Sequence, residues 1–140
     1  MESTHVEIEL INWYDQLLVS KQLLGQDEVR SLKINARIAK KAMITTITEK
    51  MQDVLQLSVV GKELVRLKNN GVMECPKVGI LEVRYKEYSS HCSAIVIPDD
   101  EEPLLGLIPI ADMRLIIDPQ TQQLIPDPRP SRLPTLIPAR

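Results

Sequence analysis

Apolar and polar residues alternate with a period of two along much of the chain, a pattern typical of β-strands that bury one face. In Val6–Leu10, for example, aliphatic residues alternate with glutamates. Short runs of this kind, either alternating or apolar and β-branched, predict strands. The predicted strands are 6–10, 32–38, 43–47, 64–67, 78–86, 91–97, 115–117 and 124–125.

Helical spacing is confined to short segments. Thr46 and Glu49 have the spacing of a capping box, and the apolar residues after them predict an amphipathic helix over about 47–56. A second short helix is predicted over Pro109–Met113, while 14–24 could be a helix or an ordered loop. Turn-forming residues separate the predicted elements. They are Gly25–Asp27, Asn69–Gly71, Glu87–Ser90, Asp99–Glu102 and Asp118–Thr121.

Many short strands with one or two short helices predict an all-β domain, either a compact barrel or a sandwich. Leu, Ile and Val together number 44 of the 140 residues, so a core can form although aromatic residues make up only 3%. Five of the ten prolines lie in the last 15 residues. Because proline lacks an N–H and fixes φ, we expect one domain over 1–125 and a proline-rich extended tail over 126–140.

Charge and composition exclude several classes of protein. The net charge of −2 provides no basic surface for nucleic acid. No apolar run approaches the roughly 20 residues of a membrane-spanning helix, and the first residues lack the features of a secretory signal. Two cysteines do not make a disulfide framework. We therefore expect a reduced, cytoplasmic environment and no membrane span.

Motifs that carry chemistry are few. The chain has no glycine-rich phosphate loop, no Cys-x-x-Cys and no His-Glu-x-x-His. Cys75, His91 and Cys92 could supply three metal ligands, but a fourth is lacking, and no metal or other cofactor is expected. Neighbouring residues of a strand point to opposite faces, so His91 and Cys92 do not predict a nucleophilic pair.

The C-terminal third carries a family resemblance. Residues 102–126 combine Leu-Leu-Gly at 104–106, a short predicted helix, Asp-Pro at 118–119 and Leu-Ile-Pro at 124–126. This segment resembles the end of the bacterial, cyanobacterial-type retropepsin-like aspartic proteases of clan AA. The resemblance extends over about 4–128 and implies the acid-protease fold, a closed β-barrel. It also implies that 64–71 is the flap hairpin that covers the substrate cleft.

The resemblance places the catalytic Asp-Thr-Gly-Ala of the family where this chain has Ala39-Lys40-Lys41-Ala42. Such proteases are dimers, and each subunit donates one Asp to a pair that shares a proton and activates water. Ala39 has no titratable group, and two lysines replace the short hydroxyl and the glycine. The resemblance therefore implies a pseudoprotease with no catalytic residues.

The leading hypothesis is a binding, scaffolding or regulatory module for a protein or extended peptide partner. The partner would occupy the former substrate cleft by strand addition, and the paired lysines would favour an acidic segment. The hypothetical cleft residues are Lys40, Lys41, Asn69, Asn70, Gly71, Leu104, Leu105 and Gly106. The resemblance also implies a possible homodimer through the terminal strands, 6–10 and 124–125.

Two alternatives stay open. The chain could be an active aspartic peptidase that works with a paralogous subunit, although the loop supplies no carboxylate. It could instead be a structural subunit of a larger assembly, docked by the proline-rich tail. A relocated active site is not expected, because the remaining candidate aspartates fall in a loop, a helix and a turn. They are Asp99, Asp100, Asp112 and Asp118.

Overall fold

The structure is a computed structural model that describes residues 4–129. Strands predominate, and the helices are short. The elements in chain order are β1 (His5–Asn12), α1 (Trp13–Ser20), a 3-10 turn (Gln26–Glu28), β2 (Ser31–Ile38), β3 (Thr45–Thr48), α2 (Glu49–Leu55), β4 (Ser58–Arg66), β5 (Val72–Tyr85), β6 (Tyr88–Ile97), β7 (Leu104–Leu105), α3 (Leu107–Asp112), β8 (Leu115–Ile117) and β9 (Leu124–Pro126).

Six of the strands form a closed barrel in the order β1-β2-β7-β3-β6-β5. The barrel closes because β5 pairs antiparallel with β1 as well as with β6. Strand β4 pairs with β5 outside the ring, and β8 and β9 form a separate two-stranded sheet. The expectation of a mostly β domain with short helices is confirmed, and the architecture is a barrel rather than a sandwich.

The two-residue strand β7 lies between β2 and β3, which follow each other in the sequence. Arg37 and Ile38 pair in parallel with Leu104 and Leu105, and Thr46 pairs antiparallel with Leu104. The Thr46 hydroxyl also accepts a hydrogen bond from the backbone N–H of Leu104, at 2.9 Å. The segment that joins β2 to β3 must therefore pass around the end of β7.

The barrel interior is aliphatic, as the composition predicts. The alternating residues of β1 and β5 point inward and are inaccessible to solvent, and Ile47 and Leu105 complete the same cluster. Burial of each such side chain contributes on the order of 1.5–3 kcal/mol. Among residues 4–129, no helix has the length and apolar character that a membrane span requires.

The hairpin between β5 and β6 turns earlier than predicted. Tyr85 pairs with Tyr88, so the connection is Lys86-Glu87 rather than Glu87–Ser90, and the predicted turn was wrong. Lys86 has φ 54°, which closes the two-residue turn. Ser89 and Ser90 favoured a turn in the sequence. They are extended in the structure because they pair with β5 and because Tyr85 and Tyr88 are partly buried against the core.

Other boundaries also differ from the sequence expectations. The α2 helix is capped by the Thr48 hydroxyl, 3.3 Å from the Met51 N–H, and not by Thr46, whose hydroxyl bonds to β7. The open alternative at 14–24 is a helix, α1, which ends at Ser20. Strands β4 and β5 are longer than predicted, and α3 begins two residues earlier. Pro126 ends β9, and residues 130–140 of the predicted tail lie outside the described residues.

An ion pair between the buried Asp15 and the partly exposed Arg30 fixes the long connection between α1 and β2. Asp15 is 2% exposed and accepts three hydrogen bonds of 2.8–2.9 Å from the backbone and guanidinium of Arg30. The Asn12 side chain caps α1 through the Asp15 N–H and also donates to the carbonyl of Leu55. These hydrogen bonds join β1, α1, α2 and Arg30, the residue before β2.

We expect Asp15→Asn to lower the free energy of unfolding at pH 7 by about 2 kcal/mol, because it breaks a bidentate, charge-assisted pair. Hydrogen bonds from Arg30 hold the pKa of the Asp15 carboxyl below its ordinary value of 3.8, against the effect of burial. This stabilisation is therefore present above the unfolded-state pKa and is lost as the pH falls through the lower folded-state pKa. Urea unfolding of both proteins between pH 7 and pH 2 measures the difference.

The exposed Asp53 on α2 provides a control. We expect Asp53→Asn to change the free energy of unfolding by no more than about 0.5 kcal/mol. A stability difference between wild type and Asp15→Asn that does not shrink in acid would contradict the assigned role of the ion pair.

Candidate functional site

The segment 39–44 connects β2 to β3 and is held by the chain that follows β7. Ala39 is 6% exposed, and its N–H donates to the carbonyl of Leu105 at 3.0 Å. The N–H groups of Leu107 and Ile108 donate to the carbonyls of Ala42 and Met43, at 2.9 and 3.0 Å. The segment is thus fixed at both ends, while the Lys40 and Lys41 side chains between them are exposed.

Gly106 packs directly against the backbone of this segment. A Cβ at position 106 would lie 2.5 Å from the carbonyl oxygen of Met43 and 2.7 Å from the backbone nitrogen of Thr45. The Thr45 hydroxyl accepts a hydrogen bond from the Gly106 N–H at 3.1 Å. Only glycine fits here, because two backbones approach each other too closely for a side chain between them.

The predicted turn at Asn69–Gly71 is confirmed as the end of the β4–β5 hairpin. Asn70 adopts the left-handed conformation with φ 67°, and the Asn69 side chain accepts a hydrogen bond from the Gly71 N–H at 2.8 Å. Asn tolerates this conformation because its short polar side chain bonds locally. The turn is therefore closed by local bonds.

The acidic segment 99–102 contacts this turn. The Lys68 ammonium donates to the carbonyl of Asp100 at 2.6 Å, and the Lys68 N–H donates to the Glu101 carboxylate at 3.2 Å. Asp99 in turn accepts a hydrogen bond from the Lys50 N–H in the first turn of α2, at 2.9 Å. The acidic segment thus joins the end of the hairpin to α2.

The underside of the β4–β5 hairpin packs on the outer face of β6. Cys75, Ile95 and Ile97 form a small buried cluster, and Val65 and Ile44 pack against it. Ile44 belongs to the segment that leads into β3, so the hairpin lies close to that segment through apolar contacts.

The structure brings together only part of the predicted cleft. Leu105 and Gly106 contact the segment 39–44 directly, whereas Leu104 pairs with Arg37 of β2 and Thr46 of β3 on either side of it. Within residues 4–129, however, no hydrogen bond joins the turn Asn69–Gly71 to Lys40 or Lys41. The polar contacts of the hairpin end run to the acidic segment instead.

The other candidate aspartates include one that stabilises a turn and one on the surface of a helix. Asp118 accepts hydrogen bonds from the Gln120 N–H and the Thr121 hydroxyl, both at 3.0 Å, and so stabilises its turn. Asp112 lies on the exposed side of α3. Among the residues that the structure describes, no three His, Cys, Asp or Glu side chains are grouped to hold a metal ion.

A pocket of about 210 Å³ opens beside the segment 39–44, and sequence reasoning did not find it. It lies where the start of β3, the start of α3 and the middle of β5 and β6 meet. Its lining residues are Ile44, Thr45, Lys77, His91, Cys92, Ser93, Ile108 and Pro109. The signal for it in the sequence was the expected pairing of the runs 78–86 and 91–97. Lys77 lies just before the first run, and the other walls come from the start of β3 and from the distant α3.

His91 and Cys92 are the adjacent candidate side chains that line this pocket. Burial raises the pKa of the Cys92 thiol to about 12, only partly offset by a hydrogen bond with Thr45, so the thiol is protonated at neutral pH and is a poor nucleophile. The His91 ring stacks on Trp13, with ring centres 4.3 Å apart. His91 and Cys92 therefore line an apolar pocket and form no catalytic pair.

Comparison of the chain with protein-family models and with curated proteins yields no match. The family resemblance implied by the Leu-Leu-Gly segment stays a prediction, as does the homodimer through the terminal strands.

We expect Gly106→Ala to destabilise the protein by about 1–3 kcal/mol, because the added methyl group forces two backbones apart. Thermal and urea unfolding measure the loss. Gly61→Ala on β4 is the matched control, since a Cβ there would meet nothing closer than 4.0 Å. Equal stability of the two variants would contradict the close approach of Gly106 to the segment 39–44.

Proposed function

We propose that this protein is a non-catalytic, retropepsin-like domain that binds an extended segment of a protein partner. The observation that carries the proposal is the segment 39–44, which β7 and Gly106 hold rigidly and which has alanine and lysines in place of a catalytic acid. A fixed, exposed, basic segment supports a binding role. A hydrolytic role of the aspartic-protease kind would need an acidic side chain in this segment, and the segment has none.

The strand arrangement supports the comparison with an aspartic protease loop. Strands β2 and β3 flank β7, and three backbone hydrogen bonds join the connection between them to residues 105–108. In such enzymes two carboxylates share a proton and activate one water. The methyl group of Ala39 cannot take or give a proton, so this position supplies neither half of that chemistry.

The exposed groups around the segment favour an acidic partner. Lys40 and Lys41 are exposed and lie between two backbone hydrogen bonds that fix their Cα positions. Ammonium groups on a fixed backbone attract carboxylates at a smaller cost in conformational entropy than groups on a mobile loop. The turn Asn69–Gly71, at the end of the β4–β5 hairpin that Lys68 joins to the acidic segment, would border a bound peptide.

We expect the full chain to bind capped, extended peptides rich in Glu and Leu, and to leave them intact between pH 4 and pH 7. Lys40→Glu combined with Lys41→Glu should weaken this binding about tenfold or more, a loss of at least about 1.4 kcal/mol. Fluorescence anisotropy of the labelled peptide gives the dissociation constant, and mass spectrometry of the same samples reports cleavage.

Lys21→Glu combined with Lys62→Glu is the control, because it changes the net charge equally at exposed positions elsewhere. Equal losses in the two double variants would mean that only net charge matters. Cleavage that pepstatin inhibits would contradict the proposal and favour an active peptidase.

A further inference from the structure

The pocket beside the segment 39–44 has the size of one side chain. Its volume of about 210 Å³ is below the roughly 300–1,000 Å³ of pockets that hold whole small molecules. The walls from Ile44, Ile108 and Pro109 are apolar. Such a pocket suits a single aliphatic side chain that projects from a bound chain.

Exposed apolar side chains continue the pocket onto the surface. Ile108 is 46% exposed and Met43 is 55% exposed, and a backbone hydrogen bond of 3.0 Å joins the two residues. Neighbouring exposed apolar residues beside a cavity mark an interaction surface more strongly than single ones do. The apolar area therefore extends from the pocket to the segment that carries the two lysines.

Positive charge surrounds this apolar area. Lys77 lines the pocket and lies 3.6 Å from the Glu63 carboxylate, which neutralises it in part. Lys40 and Lys41 precede the apolar residues of the same segment and are exposed. Glu63, which pairs with Lys77, and Asp112, whose charge acts on Cys92, are carboxylates of this neighbourhood. The acidic segment 99–102 is bonded to Lys68 at the end of the β4–β5 hairpin. Lys40, Lys41 and Lys77 supply the positive charge that an acidic chain would contact.

We infer that the pocket seats one Leu-sized or Met-sized side chain of an acidic partner segment, whose carboxylates lie against Lys40, Lys41 and Lys77. This inference rests on the proposed peptide-binding function and names the kind of segment bound. Residues 130–140 of this chain contain two arginines and no acidic residue. Charge therefore disfavours the chain's own C-terminal segment as the occupant.

The single tryptophan reports directly on this site. Trp13 stacks on His91, and His91 lines the pocket. Indole emission depends on the ring's surroundings, so a side chain that enters the pocket should change it.

The test uses the full chain and two capped peptides, Glu-Glu-Glu-Leu-Glu-Glu-Glu and the same peptide with Ala in place of Leu. We expect the Leu peptide to change Trp13 emission and to bind about tenfold or more tightly than the Ala peptide. In Ile108→Glu this preference for Leu should disappear. Ile108→Ala, which adds no charge, should reduce it as well and guards against a folding defect in the first variant.

Two exposed positions on β4 provide matched controls. Leu64→Glu places the same charge on a side chain that is 74% exposed and should keep the preference for Leu. Lys77→Glu should weaken binding of the Leu peptide several-fold more than Lys62→Glu does, because both lysines pair with a glutamate but only Lys77 lines the pocket.

Failure of this inference can be distinguished from failure of the proposed function. If the Leu and Ala peptides bind equally, while reversal of the charges at Lys40 and Lys41 still weakens binding, the pocket assignment is overturned and the peptide-binding function stands. If neither peptide binds, both are overturned. A dimer that Ile108→Glu dissociates would show that a second copy occupies the surface, which also overturns the assignment.

Discussion

The packing of the Gly106 backbone against the backbone of residues 43–45 is the constraint on which the rest of the structure depends. It lets β7 enter between β2 and β3, so the two residues of β7 close a gap that these consecutive strands leave open. The hydroxyls of Thr45 and Thr46 satisfy the N–H groups of Gly106 and Leu104. Buried polar groups of the backbone are thereby paired at the most crowded point of the barrel.

The same constraint decides what chemistry the site can perform. Backbone hydrogen bonds hold the segment at Ala39, Ala42 and Met43. Its side chains supply a methyl group where the resemblance to aspartic proteases would place an acid, and two ammonium groups on the surface. For the proposed function, a segment held in this way would lose little freedom when a partner docks. Its apolar pocket and its lysines lie on neighbouring parts of the same segment, so one bound chain can contact both.

Sequence patterns were sufficient where an element buries its own regular face. The alternation in β1 and β2 predicted both strands, and local turn chemistry predicted the turn at Asn69–Gly71. Sequence patterns were insufficient where pairing between distant segments determines the local structure. A strand of two residues shows no alternation of apolar and polar residues, so β7 could be noticed only through the family resemblance of its segment. Ser89 is extended because it pairs with Arg84. The pocket joins four separate segments of the chain, and the bond of Lys68 to Asp100 spans 32 residues.

The most direct test of the central claim, a rigid segment 39–44 held by the chain after β7, is amide hydrogen exchange measured by nuclear magnetic resonance. The N–H groups of Ala39, Gly106, Leu107 and Ile108 should be protected as strongly as those of the core strand β5. The amides of Lys40 and Lys41 should exchange much faster. Exchange at all six positions at the same fast rate would show that β7 does not hold the segment, and the account of a preformed binding surface would then be wrong.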